Sequence, residues 1–186
     1  MKSIWNYFYN LFVLPLLKSV LYLLGFFNPK IKEGIKGRKN LFENLKKNIS
    51  NLDKNKKTLW FHSSSMGEFE QAKPIIQKLK QIEAINIVVT FFSPSGYKNS
   101  LKYPYADLIS YLPFDNKNEI SKFVEIIKPS GVIFMRYDYW PNTVWVLGKN
   151  KIPIFVVDAT MAKDSKENIR LLKIFIKIYL KIFPKF

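Results

Sequence analysis

The residue types that do chemistry are scarce in this chain, and that scarcity directs the search. There is one histidine, His62, and no cysteine. Thiolate nucleophiles, disulfides, thiolate zinc sites and iron–sulfur clusters are therefore excluded, and any Ser-His-Asp triad or histidine metal site must be built around His62. The same position opens the most informative stretch, His62-Ser63-Ser64-Ser65-Met66-Gly67-Glu68-Phe69-Glu70. Ser65 followed three residues later by Glu68 is the pattern of a capping box, in which Glu68 closes the first turn of a helix. A helix N-terminus also favours Glu68 as an anion, which makes it available as a base although a weaker one than a buried carboxylate. Gly67 lets a ligand approach the backbone, and the unpaired N–H groups of a helix start suit an anion. Cap and ligand site both remain open at this point.

Two further segments carry candidate groups. Ser93-Pro94-Ser95-Gly96-Tyr97 reads as a turn entering a helix, and Ser95 and Gly96 could offer a hydroxyl and an N–H to a phosphate or a sugar. Arg136-Tyr137-Asp138-Tyr139-Trp140-Pro141-Asn142 combines two charges with three aromatic rings, a mixture that suits sugar binding better than a plain turn. The candidate binding residues are thus Ser65, Gly67, Ser95, Gly96, Arg136, Asp138, Trp140 and Asn142, with Glu68 as the candidate catalytic group.

The elements that position these loops follow from hydrophobic pattern. Short apolar runs at Thr58 to His62, Ile85 to Phe92, Leu108 to Leu112, Gly131 to Met135 and Ile154 to Val157 read as buried strands. Helical stretches lie between them, at about Glu68 to Ile82, Gly96 to Lys102, Asn116 to Ile127 and Trp140 to Lys149. Alternation of this kind predicts an α/β fold, a Rossmann-like parallel sheet with helices on both faces. Ligands of such sheets bind beyond the carboxyl ends of the strands, where every candidate segment falls.

The flanks set the context. Ile4 to Phe27 is strongly apolar and about as long as the ~20 residues a bilayer span needs. Lys18 inside it keeps a spanning helix and an in-plane anchor both open, and a core hairpin of two helices broken at Pro15 is the third reading. Lys30 to Lys57 holds ten Lys and Arg against Glu33, Glu43 and Asp53, which marks a cytoplasmic flank attracted to anionic lipid. The organisation expected is a membrane anchor at 1–28, a basic linker at 29–57 and a Rossmann-like domain at 58–186. Lys163 to Phe186 carries lysines four apart at 173, 177 and 181, an amphipathic helix that either covers the sheet or lies on a membrane. The net charge of +16 points to an anionic partner. Nucleic acid is disfavoured, because only Phe42 interleaves the basic run and stacking platforms need several rings.

In order and spacing, the set WFHSSSMGEFEQAKPII, TFFSPSGY, YLPFD and YDYWPN behind an apolar anchor resembles the 3-deoxy-D-manno-octulosonic acid (Kdo) transferases of lipopolysaccharide synthesis. The resemblance covers about residues 5 to 175, and the family's Gly-Glu falls on Gly67-Glu68. It implies a glycosyltransferase of the GT-B type, in which two Rossmann-like domains face each other across a cleft. The N-terminal domain receives a lipid A precursor at the cytoplasmic face of the bacterial inner membrane, and the C-terminal domain binds CMP-Kdo. Glu68 becomes the general base, with no metal and no cofactor. The 186 residues accommodate only the acceptor-side domain. The donor-binding domain is expected to be absent from this chain, CMP-Kdo to be a partner only if that domain is supplied, and the chain alone to be inactive. Departures fall at Arg136, where many members have a glutamate; at Asp138, where they have a second acidic residue; and at Asp158-Ala159-Thr160, where they often have Asn-Ala-Arg. The rival readings are a non-catalytic membrane-anchored binding module of the same fold and a basic nucleic-acid-binding protein.

Overall fold

The computed structural model describes residues 2–158; the amphipathic helix expected from Lys163 onward lies outside them. The apolar N-terminal segment is one continuous rod, α1 (Lys2–Phe8) and α2 (Leu14–Phe27), joined through a π turn at Tyr9–Val13. The core hairpin broken at Pro15 is therefore corrected. A helix-interior proline clashes with the carbonyl four residues back, and a local π turn absorbs such a clash without breaking the rod. Here the Leu14 N–H skips to Tyr9 O just before Pro15.

The stretch read as a basic linker is also structured. It forms α3 (Pro29–Lys39) and α4 (Leu41–Asn48), followed by a 3₁₀ turn at Ile49–Asn51. Leu41, Leu45 and Leu52 are buried against the sheet domain, and they alternate with lysines that dominate the composition and hide the apolar stripe. A Cβ on Gly37 would overlap the Tyr111 ring, so glycine is what lets α3 approach this closely. Arg38 locks the approach. Its guanidinium donates to Leu112 O, Phe92 O and Gly34 O, each at 2.8 Å, and lies over the rings of Phe92, Tyr111 and Phe114. Burial pulls its pKa down to about 10, which leaves it charged at neutral pH.

The alternating half is the expected α/β domain. β1 (Lys57–Ser63), β2 (Ile85–Phe91), β3 (Leu108–Tyr111), β4 (Gly131–Met135) and β5 (Ile154–Val157) pair in parallel in the order β3-β2-β1-β4-β5. Helices α5 (Met66–Ile82), α6 (Pro94–Ser100), α7 (Lys117–Ile127) and α8 (Pro141–Lys149) follow the first four strands in turn. Alternate residues of each strand feed opposite layers. Leu59, Phe61, Ile87, Val89, Phe91, Ile133 and Met135 pack with Phe69, Ala72 and Ile76 of α5. Trp60, Val88, Val132 and Phe134 pack with residues of α4, α7 and α8. Each such side chain, fully buried, is worth about 1.5–3 kcal/mol relative to exposure, so the two layers fix the sheet and hence its loops. The strand order reverses between β1 and β4, and open α/β sheets bind their ligands outside the carboxyl ends at such a reversal.

Candidate active site

β1 and β4 are the strands that flank the reversal, and their carboxyl ends carry most of the candidate groups. At the end of β1, Ser65 is in extended backbone and caps α5, its Oγ accepting from the Glu68 N–H at 3.4 Å. The carboxylate of Glu68 reaches one residue further back than in a standard capping box. It accepts from the Ser64 N–H at 2.6 Å and from the Ser64 hydroxyl at 2.9 Å. Glu68 is thus clamped at the first turn of α5 while remaining partly exposed. Gly67 beside it is exposed, and a Cβ there would meet nothing closer than Ser65 Oγ at 4.0 Å. Among the described residues no packing requires this glycine.

The β2 loop is tied to the β1 loop by a Ser93 N–H to Ser64 O bond of 2.9 Å. Ser93 caps α6 by accepting from Gly96 N, and the helix begins two residues earlier than its expected start at Gly96 because of that cap. Ser95 is exposed at the turn. Gly96 is buried instead: a Cβ would come within 2.6 Å of Phe91 Cδ1, so its absence is a packing requirement. Gly96 thus supports the loop from within.

At the end of β4 the two expected charges part company. Arg136 takes a left-handed backbone, φ 58°, and its Nε donates to Asp158 Oδ2 at 3.1 Å at the end of β5. Asp158 is left-handed as well, φ 58°. Non-glycine residues in this region cost on the order of 1 kcal/mol or more each and persist where the surroundings impose them. Asp138 turns toward β1, its Oδ2 lying 2.9 Å from His62 Nε2. His62 Nδ1 is 2.8 Å from Thr90 Oγ1, which also accepts from Trp60 Nε1 at 2.7 Å. The indole donates to Thr90, His62 Nε2–H donates to the Asp138 carboxylate, and His62 Nδ1 shares a hydrogen bond with the Thr90 hydroxyl. Both ring nitrogens of the fully buried His62 are spent on holding Asp138 across the strand-order reversal. Among the described residues no group of three His, Cys, Asp or Glu side chains is arranged to hold a metal ion.

Trp140 precedes α8 and stacks on Phe92, ring centroids 5.4 Å apart. Asn142 is buried away from the opening. Its N–H donates to Asp115 Oδ2 at 2.9 Å and its amide bonds with Asn10 of the N-terminal rod at 2.8 Å. Glu68, Ser65, Gly67, Ser95, Arg136, Asp138 and Trp140 therefore share the carboxyl edge, while Gly96 and Asn142 support it. Asp115, Thr90 and Arg38 were not anticipated. Asp115 ends the YLPFD string, but nothing in its spacing announces that its carboxylate is buried under four donors.

A sequence profile of the family described as 3-deoxy-D-manno-octulosonic-acid transferase (kdotransferase) matches residues 38–186. A 3-deoxy-D-manno-octulosonic acid transferase of Haemophilus influenzae is 26% identical over 167 residues, 87% of this chain and 38% of that protein. The enzyme of the same name from Aquifex aeolicus is 33% identical over 111 residues, 59% of this chain and 30% of the relative. A bifunctional glycosyltransferase/methyltransferase of Fusobacterium nucleatum is 28% identical over 162 residues, 85% of this chain and 25% of that protein. The chain thus matches between 25% and 38% of the length of these relatives.

Proposed function

The chain belongs to the Kdo transferase family, and from that premise we propose that it forms the acceptor-side domain of a GT-B glycosyltransferase. The enzyme transfers Kdo from CMP-Kdo to a lipid A precursor during lipopolysaccharide synthesis, at the cytoplasmic face of a bacterial inner membrane. The observation that carries this reading is the clamped carboxylate of Glu68 at the first turn of α5, beside the strand-order reversal.

In this mechanism a hydroxyl of the acceptor sugar sits against Glu68. As its oxygen attacks the anomeric carbon of Kdo, Glu68 takes the proton. The bond from that carbon to the phosphate oxygen breaks, CMP leaves with the electron pair, and the anomeric configuration inverts. The Ser64 N–H and hydroxyl hold the Glu68 carboxylate oriented until the proton moves. Arg136 spends Nε on Asp158, and the rest of its planar guanidinium suits an acceptor phosphate. Ser65, Gly67, Ser95, Asp138 and Trp140 line the acceptor side. The apolar rod and the exposed lysines of α3 hold this edge near a lipid surface, which accounts for the basic character without nucleic acid.

Glu68→Gln tests the assignment, measured in this chain joined to the donor-binding part of the Haemophilus relative. Transfer should fall by about 10² to 10⁴-fold, the range attributable to a general base, with only about 1 kcal/mol of stability lost at the cap. Undiminished transfer with a lowered melting temperature would leave Glu68 a cap and nothing more.

A further inference from the structure

We propose that the rod from Lys2 to Phe27 lies flat in the interface of an anionic lipid bilayer, docked along its length on the sheet domain, and does not cross the membrane. The inference rests on the membrane reading above and gives it a geometry. By length and composition alone the segment Ile4–Phe27 could span, since its 24 residues make a helix of about 36 Å against a hydrocarbon core of about 30 Å. The orientation is decided by where its polar side chains go.

Tyr9, Asn10 and Lys18 go to the domain, while Tyr7, Ser19 and Tyr22 stay exposed. Tyr9 is buried and its hydroxyl donates to Asp115 Oδ2 at 2.9 Å. The Asn10 amide pairs with that of Asn142, at 3.1 and 2.8 Å. Lys18, the one charge within Ile4–Phe27, is half-buried and lies over the Phe114 ring, 5.8 Å from its centroid. Further along, Leu14, Leu17 and Leu21 close over Phe92, Phe114 and Trp140, and Leu21 also borders Ser93 and Ser95. Contacts spread over this length hold the rod parallel to the carboxyl edge of the sheet. The π turn serves the same register. Five residues make a π turn, so it carries Tyr9 and Leu14 to one face, where a regular helix would set them about 140° apart.

The opposite face is apolar and bare. Ile4, Trp5, Leu11, Phe12, Leu16 and Leu23 are all exposed, at 57% or more. Beside it α3 presents exposed Lys30, Lys32, Lys36 and Lys39. An apolar stripe flanked by cations complements the acyl boundary and head groups of anionic lipid. A rod that crossed the bilayer would take the Tyr9 hydroxyl from Asp115 and the Asn10 amide from Asn142, and would carry Lys18 into hydrocarbon.

The absence of cysteine makes the test direct. Ile4→Cys, Phe12→Cys and Leu23→Cys, each in the full 186-residue chain, are labelled with a fluorophore and bound to vesicles of phosphatidylethanolamine and phosphatidylglycerol. Depth is read by quenchers placed at successive positions of the acyl chain. An in-plane rod puts all three labels at one shallow depth, about 5–10 Å into the boundary. A deep Phe12 label, with Ile4 and Leu23 near opposite surfaces, overturns the proposal. As a second arm, Asn10→Cys and Asn142→Cys are bridged by a short bis-maleimide. The bridged chain should bind vesicles as tightly as the unbridged one, and loss of binding on bridging would show that the rod must leave the domain. If the unbridged chain ignores vesicles altogether, the membrane partner fails too, a result distinct from graded depth with retained binding.

Discussion

Two polar regions share the carboxyl edge of the sheet and are built on opposite terms. Under the rod, Asp115 is 4% exposed and its two oxygens accept from Tyr9, from the N–H groups of Asn142 and Thr143, and from the Thr143 hydroxyl. Two strands away, Glu68 is partly exposed and its carboxylate accepts from the N–H and hydroxyl of Ser64. One carboxylate is saturated by its own protein; the other keeps acceptor capacity for something else. Satisfaction therefore separates the structural polar group from the one proposed to act on a ligand more sharply than residue type or location does.

The comparison can be broken by mutation. Glu68→Gln should act on transfer and Asp115→Asn on stability; if the two exchanged phenotypes, the distinction would be lost. Asp115→Asn replaces one acceptor oxygen with an NH2 donor that faces two of the four donors, and a loss of about 3 kcal/mol is expected. For a domain of this size that corresponds to a fall in melting temperature on the order of 10 °C, with transfer per folded molecule retained. Arg38→Lys comes next. A lysine lacks the planar fork that reaches Leu112, Phe92 and Gly34 together, so about 2 kcal/mol should be lost in denaturant unfolding despite the conserved charge. Gly67→Ala sharpens the functional side. With open space around it, alanine should stabilise α5 by up to about 1 kcal/mol, while a ligand that needs the bare backbone should bind less well. Gain in both would remove Gly67 from the site.

The smallest effect is one of pH. Burial pushes the Asp115 pKa up, against the hydrogen bonds that pull it down. The native state then holds a proton that the unfolded chain has already released. Asp115's contribution to stability is fully present below its unfolded value, about 3.9, and is lost as pH rises through the raised native value. Urea unfolding across mildly acidic pH should show this slope, and Asp115→Asn should flatten it.

Strands were legible because they are short, apolar and spaced by turns, and β4 and β5 fall where the pattern puts them. The helices read from sequence missed their starts by a residue or two, since Ser65 and Ser93 extend α5 and α6 by capping. In the region 29–57 abundant lysine masks the buried stripe of Leu41, Leu45 and Leu52, and by composition Arg38 is one more cation, so its helices are not legible in the sequence. Of the candidate site, the loops were legible and the pairings were not. Arg136 and Asp138 are two residues apart, yet a left-handed turn sends one to Asp158 and the other to His62. Gly96 and Asn142 looked like binding residues because small and amide side chains serve ligands and interiors alike.

The bonds that seat the rod join positions far apart in time as well as in sequence. Tyr9 and Asp115 are separated by 106 residues, Asn10 and Asn142 by 132. A ribosome adding about 5–20 residues per second makes the rod on the order of ten seconds before its seat exists. Throughout that interval the row of aromatic and aliphatic side chains has no domain to rest on. On the in-plane reading proposed above, the order of synthesis offers this apolar face to lipid before the sheet folds, and the domain then assembles on a helix already in place.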